Sequence, residues 1–242
     1  MRVALFSDIH GNLVSLEAVL ADIDRERVDQ IVCLGDVAPM GPQPRKVLTR
    51  LKALGCPCVM GNHDLHVLNP DLAHEQSTWI AEVTAWCAAQ LTEADLDFIR
   101  SFQPLFEIPL DVHNKLLCYH GSPRSNVDRI LSTTSVDELE EMLANHTATV
   151  LAGGHNHVQM LRQHKKMLLI DVGSVGAPLE EIPFEGKPRL LPWAEYTIVN
   201  WINGVLSRDL RRVSINLNAV TQAALASDMP GAADWVSWWT TK

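Results

Sequence analysis

The chain has 242 residues, room for one large domain or two small ones, and its 47% hydrophobic and 20% charged content is that of an ordinary folded protein. A net charge of −9 argues against a nucleic-acid coat and against a binder of anionic membranes, since both need basic surface. It leaves phosphate substrates open, because a bound metal cluster reverses the local sign of charge.

In chain order, the first apolar run is residues 3–6, which hands over to Asp8-Ile9-His10-Gly11-Asn12. That run is far too short for a signal peptide, and Asp8 interrupts it. Leu13, Leu16, Val19, Leu20 and Ile23 then fall at helical spacing. A second run, residues 31–34, ends in Gly35-Asp36, and Val47, Leu48, Leu51 and Leu54 form another helical stripe. The third run, residues 58–60, ends in Gly61-Asn62-His63-Asp64. From about residue 65 to 104 the pattern is helical: Trp79, Ile80, Val83, Trp86 and Cys87 form a stripe, and Thr92 reads as an N-cap. We read this stretch as an insertion, so residues 1–242 are expected to form a single domain.

The fourth run, residues 116–119, ends in His120-Gly121-Ser122. Ser135 and Glu138 form a capping-box pattern ahead of Leu139, Met142 and Leu143. The fifth run, residues 149–152, ends in Gly153-Gly154-His155-Asn156-His157, and a sixth follows at residues 167–170. Residues 196–215 read as a hairpin around Asn203-Gly204, and Trp235, Trp238 and Trp239 imply a docked helix. Continuous apolar runs alternating with helical stripes predict an α/β fold whose strands are buried on both faces. No stretch approaches the length of a membrane span. The five cysteines form no metal or redox spacing and are expected to be reduced, which fits a cytoplasmic protein.

Five runs thus end in metal-ligand residue types carried on a glycine-containing turn past a strand's carboxyl end, the edge where α/β sheets bind ligands. Residues two apart in an extended segment share a side, so Asp8 with His10, and His155 with His157, each present two ligands to one cavity. The set mixes oxygen and nitrogen without thiolate, which suits Mn, Fe, Co, Ni or Zn better than Mg or Ca. A lone Gly-Asp or a lone His past a strand is ordinary turn chemistry, whereas five in order point to a site.

The order Asp-x-His, Gly-Asp, Gly-Asn-His-Asp, His-Gly-Ser, Gly-His-x-His resembles the calcineurin-like metallophosphoesterase superfamily over about residues 2–177. The segments at residues 7–12 and 173–176 are most similar to its small single-domain bacterial and archaeal phosphodiesterases. The resemblance implies a four-layer α-β-β-α sandwich, two mixed sheets face to face with helices outside. It also implies two divalent transition-metal ions, manganese first among Mn, Fe, Ni, Co and Zn. Asp8, His10, Asp36 and His157 would hold one ion, and Asp36, Asn62, His120 and His155 the other, with Asp36 bridging. His63 would face the leaving group with Asp64 orienting its ring, and Asn12 would be an outer contact to the site or the phosphate. Arg124, just past His120-Gly121-Ser122, is a further candidate phosphate contact.

The implied reaction is hydrolysis of phosphodiesters or small phosphate compounds by metal-activated water. The same site would serve a dinucleoside-polyphosphate hydrolase or a phosphoprotein phosphatase, and a relative of another class would be a catalytically silent protein-binding scaffold. Departures from the family pattern are Asn156 in place of the common Thr, no second Asp after Asp36, and Val172 where Asn-Pro is common. His66 and His74 are expected to be solvated, and residues 164–166 to form a polar turn. Trp79 and Trp86 are expected in the core. The insertion is expected to shape access to the site through exposed polar residues such as Glu75, Gln76 and Glu82.

Overall fold

The computed structural model describes residues 1–74, 77–182 and 187–239. β1 (Arg2–Phe6) leads through α1 (Leu13–Glu26) to β2 (Gln30–Cys33), which pairs with it in parallel. Asn12 caps α1 by accepting from the Ser15 N–H, satisfying a donor that the first helical turn leaves free. α2 (Pro44–Leu54) starts on a proline whose missing N–H costs nothing there, and stops at Gly55, which takes the left-handed φ of 67°. The insertion forms α3 (Asn62–Leu68), α4 (Asp71–His74), α5 (Thr78–Gln90) and α6 (Glu93–Arg100). The Thr92–Asp95 capping box starts α6 as the sequence indicates.

The chain continues through β3 (Phe106–Pro109), β4 (Lys115–Cys118), α7 (Val136–Leu143), β5 (Val150–Gly153), β6 (Met160–His164) and β7 (Met167–Asp171). It closes with the hairpin β8 (Trp193–Ile202) and β9 (Val205–Ser214), then α8 (Leu217–Leu225) and α9 (Ala232–Ser237). One mixed sheet has the order β2-β1-β8-β9 and the other β3-β4-β5-β7-β6.

The layers follow from strand alternation. Val3, Leu5, Val32 and Leu34 face Leu116, Cys118, Val150, Ala152 and Ile170 across the space between the sheets. The opposite faces of the same strands carry Ala4, Phe6 and Cys33, which pack against Leu16, Val19 and Ile23 of α1 and Val47, Leu48 and Leu51 of α2. Beyond the second sheet, Leu117, Tyr119, Leu151 and Leu169 pack on Leu139, Met142 and Leu143 of α7. Helices, sheet, sheet and helix are the four layers expected. Each fully buried Val or Leu contributes roughly 1.5–3 kcal/mol, which explains why the strands read as continuous apolar runs. A further cluster joins Val83 of the insertion to Leu190, Val220, Trp235 and Trp239, docking the C-terminal helices.

Three details differ from the expectation. Residues 58–60 form only isolated bridges, Cys33 to Cys58 and Val59 to Gln103, rather than a strand. β3 and β6 were not anticipated: one is short and ends in proline, and the other alternates polar and partly exposed residues. All five cysteines are free thiols. Among the described residues, no helix is long and apolar enough to cross a membrane.

Candidate metal centre

The turns past β1, β2, β4 and β5 meet at one edge of the sandwich. Of the eleven non-glycine residues with positive φ among those described, five are Asp8, His10, Asp36, His155 and His157. Left-handed backbone costs a non-glycine residue roughly 1–2 kcal/mol, so surrounding bonds must hold these turns. They do: the Asp8 N–H donates to Gly35 O at 2.9 Å, His10 N–H to Asp36 O at 3.0 Å, and Gly176 N–H to Asp8 O at 2.9 Å. Across the two sheets, the His155 N–H donates to Asp8 Oδ2 at 2.9 Å. Gly61 has no side chain for a local reason, since a Cβ there would overlap the Asp36 carboxyl.

Three imidazoles are fixed the same way. Nδ1 of His10 donates to Pro39 O at 3.1 Å, Nδ1 of His120 to Leu34 O at 2.7 Å, and Nδ1 of His157 to Ala177 O at 2.7 Å. A neutral ring with its proton on Nδ1 turns the Nε2 lone pair inward, which is how backbone carbonyls orient histidine ligands. Two acid–imidazole groups result. Asp8, His10 and His157 form one, Asp36, His120 and His155 the other, with the ligand atoms in each within 4.8 Å of one another.

Asp36 lies between the groups, its Oδ2 3.3 Å from His120 Nε2 and 3.8 Å from His10 Nε2. Its Oδ1 accepts from the His63 N–H at 2.9 Å. Asn62 Oδ1 is 3.1 Å from His120 Nε2. Asp8 Oδ1 lies 3.2 Å from His157 Nε2 and 3.7 Å from His10 Nε2.

These residues fit bound cations. Asp8 Oδ1 and Asp36 Oδ2 are buried and accept no hydrogen bond, a costly state for carboxylate oxygens in a protein interior. His10 Nε2 and His157 Nε2 are 3.0 Å apart with both Nδ1 atoms turned to carbonyls, a close approach of two ring nitrogens that a proton or a cation between them relieves. A cation between them removes both penalties. The charge balance points the same way. Burial alone would raise the Asp36 carboxyl, yet the charges of His120 and His63 hold it well below the usual range. Burial likewise opposes a proton on His120, but the charge of Asp36, with that of Asp8 behind it, raises the ring to about 10. The edge therefore demands positive charge, whether proton or metal ion.

The other predicted site residues fall into place differently. His63 lines the cavity with its ring centroid 5.4 Å from that of His10, and its buried Nδ1 has no hydrogen-bond partner. Asp64 does not accept a hydrogen bond from that Nδ1. Both its oxygens are taken by backbone, Oδ2 by the N–H of Asp36 and Gly61 and Oδ1 by that of Val37, so it braces the metal-site turns instead. Asn12 accepts from the Ser15 N–H and donates one amide N–H to Gly176 O, which ties it to the start of α1 and to the turn at residues 173–176. Arg124 is exposed and paired with Asp128 at 2.9 Å, away from the cavity lining.

The basic residue that does line the cavity is Arg129, which the sequence reading passed over because nothing local marks it. His66, expected to be solvated, is buried with its ring centroid 5.0 Å from that of His63, because α3 packs on α5. The His74 side chain, Glu75 and Gln76 lie outside the described residues; Glu82 is exposed. His164 is buried at the end of β6, and the polar turn is confined to Lys165 and Lys166. Trp86 packs in the helix–sheet core and Trp79 against Trp238.

A cavity of about 280 Å³ opens beside the two groups, lined on one side by His10, Asp36, Asn62, His63, His155 and His157. That is near the lower end of the ~300–1,000 Å³ range of small-molecule sites.

Comparison with known proteins gives consistent matches. The calcineurin-like phosphoesterase superfamily domain matches residues 1–186. An uncharacterized protein of Methanocaldococcus jannaschii, MJ0912, is 28% identical over 174 residues, covering 72% of this chain and 69% of its own. A symmetrical bis(5'-nucleosyl)-tetraphosphatase of Hamiltonella defensa is 28% identical over 211 residues, covering 78% of this chain and 75% of its own. Among solved structures, a metallophosphoesterase from Sphaerobacter thermophilus superposes with a TM-score of 0.75 at 24% identity, over 98% of both chains. The hypothetical protein PH1004 from Pyrococcus horikoshii gives 0.80 at 16% identity, over 98% of this chain and 96% of its own. At those identities the structural likeness speaks for the fold alone.

Proposed function

The chain belongs to the calcineurin-like phosphoesterase superfamily and is a metal-dependent phosphoester hydrolase, and on that premise we propose a role for each residue of the edge. Asp8, His10, Asp36 and His157 would hold one divalent ion, and Asp36, Asn62, His120 and His155 the other, with Asp36 common to both sets. When bound, the two cations lower the pKa of water and neutralise the phosphoryl oxygens for in-line displacement. The observation that carries this reading is the pair of buried carboxylate oxygens without donors, Asp8 Oδ1 and Asp36 Oδ2, each beside imidazole Nε2 atoms.

The chain's own groups do the rest. Backbone carbonyls fix the tautomer of His10, His120 and His157, so the ligand set is preorganised. His63, on the cavity wall beside Asn62, is assigned to the departing oxygen, as acid or as stabiliser of the charge that develops there. Asp64 holds the Asp36 turn through the main chain. The mixed oxygen and nitrogen ligands favour a transition metal, with manganese the first choice. We take residues 1–242 as one domain, in which the insertion shapes access through Ile80 on the cavity wall. Five free thiols support a reducing, cytoplasmic setting.

A cavity of about 280 Å³ favours small phosphodiesters or phosphate compounds over a phosphoprotein. A second reading, hydrolysis of dinucleoside polyphosphates, is favoured by the name of the Hamiltonella relative and by Arg129 at the cavity. The test is a panel of phosphoesters, diadenosine tetraphosphate among them, assayed with Mn, Fe, Co, Ni, Zn and Mg supplied separately. The reading expects activity with a transition metal on small esters; no turnover with any metal would refute it.

A further inference from the structure

The cavity beside the metal centre has a second half that the phosphoryl chemistry does not use. Facing His10, His63 and His157 is an apolar wall made of Ile80 from α5, Leu179 and Leu190 from the segment after β7, and Trp235 and Trp238 near the chain's end. Leu190, Trp235 and Trp238 lie beyond residue 186, where the match to the superfamily domain stops. Three of the five wall residues are therefore contributed by a part of the chain outside the shared domain, and Ile80 and Leu179 by a part within it.

The wall is fixed relative to the metal centre. Leu190 N–H donates to Trp238 O at 2.7 Å, joining the segment after β7 to the C-terminal helix. The Trp79 indole donates to Pro230 O at 3.0 Å, and its ring meets that of Trp238 edge-on at 4.9 Å, which joins the insertion to the same helix. At the other end, Leu179 N–H donates to His157 O at 3.0 Å, while His157 donates to Ala177 O. The apolar wall and the proposed ligand His157 thus share one hydrogen-bonded segment.

We propose that this wall is a subsite for the organic group of the ester, and that the group it takes is an aromatic ring system, aryl or nucleobase. The inference rests on the reading of the site as a phosphoester hydrolase, which puts the phosphorus beside His10 and His157. An ester held there has its organic substituent within the same cavity. Burying a ring against Trp238 and Leu179, which Trp235 backs from the core, gains hydrophobic free energy and indole–aromatic contact. A charged group placed there would lose its hydration, for which the wall returns one unpartnered donor, the Trp238 indole N–H. A volume of about 280 Å³ is on the scale of one such group.

The test uses calorimetric titration of the manganese-loaded protein with phenylphosphonate and with methylphosphonate, which differ only in the organic group. Hydrolysis of bis(p-nitrophenyl) phosphate is followed separately. The parent should bind phenylphosphonate about tenfold more tightly, in line with the extra apolar area buried. Trp238→Ala and Ile80→Ala should each cut that preference to below about threefold, while methylphosphonate binding is unchanged. Ile80 is only partly buried, so its variant carries the test should Trp238→Ala fail to fold. Hydrolysis with no phenyl preference, or with a preference unchanged in both folded variants, would overturn the subsite and leave the hydrolase reading standing. Absence of hydrolysis with any divalent metal would overturn both.

Discussion

Asp64 holds Asp36 in place through the main chain, its Oδ2 accepting from the Asp36 N–H at 2.8 Å and its Oδ1 from the Val37 N–H at 2.9 Å. The Gly61 N–H adds a third bond at 3.0 Å, so one buried carboxylate ties the turn past β2 to the start of α3. Removing it leaves three backbone donors unpaired, at roughly 1–3 kcal/mol for each that water does not reach. Asp64→Ala should therefore lose about 3 kcal/mol in urea unfolding and bind less metal. A variant with full stability and metal content but reduced kcat would restore the idea that Asp64 serves the His63 ring.

His63 is proposed to assist departure of the leaving group. His63→Asn should lower kcat by ~10²–10⁴ on esters of poor leaving groups, with metal content unchanged. The loss should shrink for p-nitrophenyl esters, whose leaving group needs no proton. An equal loss on both would assign His63 to something other than protonation.

The α/β character was legible in the sequence because the central strands are buried on both faces and read as continuous apolar runs, whereas the four-layer arrangement was implied only by the family resemblance. The site edge was legible because Asp8, His10, Asp36, Asn62, His120, His155 and His157 each sit just past such a run. The bracing role of Asp64 was not legible, because two of its three backbone partners are N–H groups 27 and 28 residues away, which have no sequence signature. Trp235 and Trp238 read as a docked helix, but that they line the metal-site cavity depends on contacts with Leu190 and Trp79. Long-range packing of that kind leaves no local periodicity to find.

Arg129, rather than Arg124, is the basic residue on the cavity. Arg129→Ala should raise KM for diadenosine tetraphosphate about tenfold, the loss of one charge-assisted contact, with bis(p-nitrophenyl) phosphate within about twofold. Arg124→Ala should affect neither, since that side chain is spent on Asp128. The reverse pattern would return the phosphate contact to Arg124.

Away from the site, Asp95 controls an acid-sensitive cap. Burial pushes its carboxyl up, but Lys52 at 2.6 Å and the Thr92 hydroxyl and N–H hold it down to about 2. A carboxyl depressed in the folded state stabilises above its unfolded value of ~4, and that contribution is lost as pH falls from ~4 towards 2. Asp95→Asn should cost about 1 kcal/mol at pH 7, the usual worth of a cap, and flatten stability against pH in that window. An acid limb identical to the parent's would show that Asp95 is not the group responsible.

The central claim is that two ions share the Asp36 carboxylate. The most direct measurement is metal stoichiometry by plasma mass spectrometry, on the parent and on Asp36→Ala reconstituted with manganese, alongside hydrolysis of bis(p-nitrophenyl) phosphate. The account predicts two ions per chain in the parent, and in Asp36→Ala a reduced stoichiometry with hydrolysis abolished and the circular dichroism spectrum retained. A parent that binds no metal, or an Asp36→Ala variant that hydrolyses the diester at the parent's rate, would contradict it.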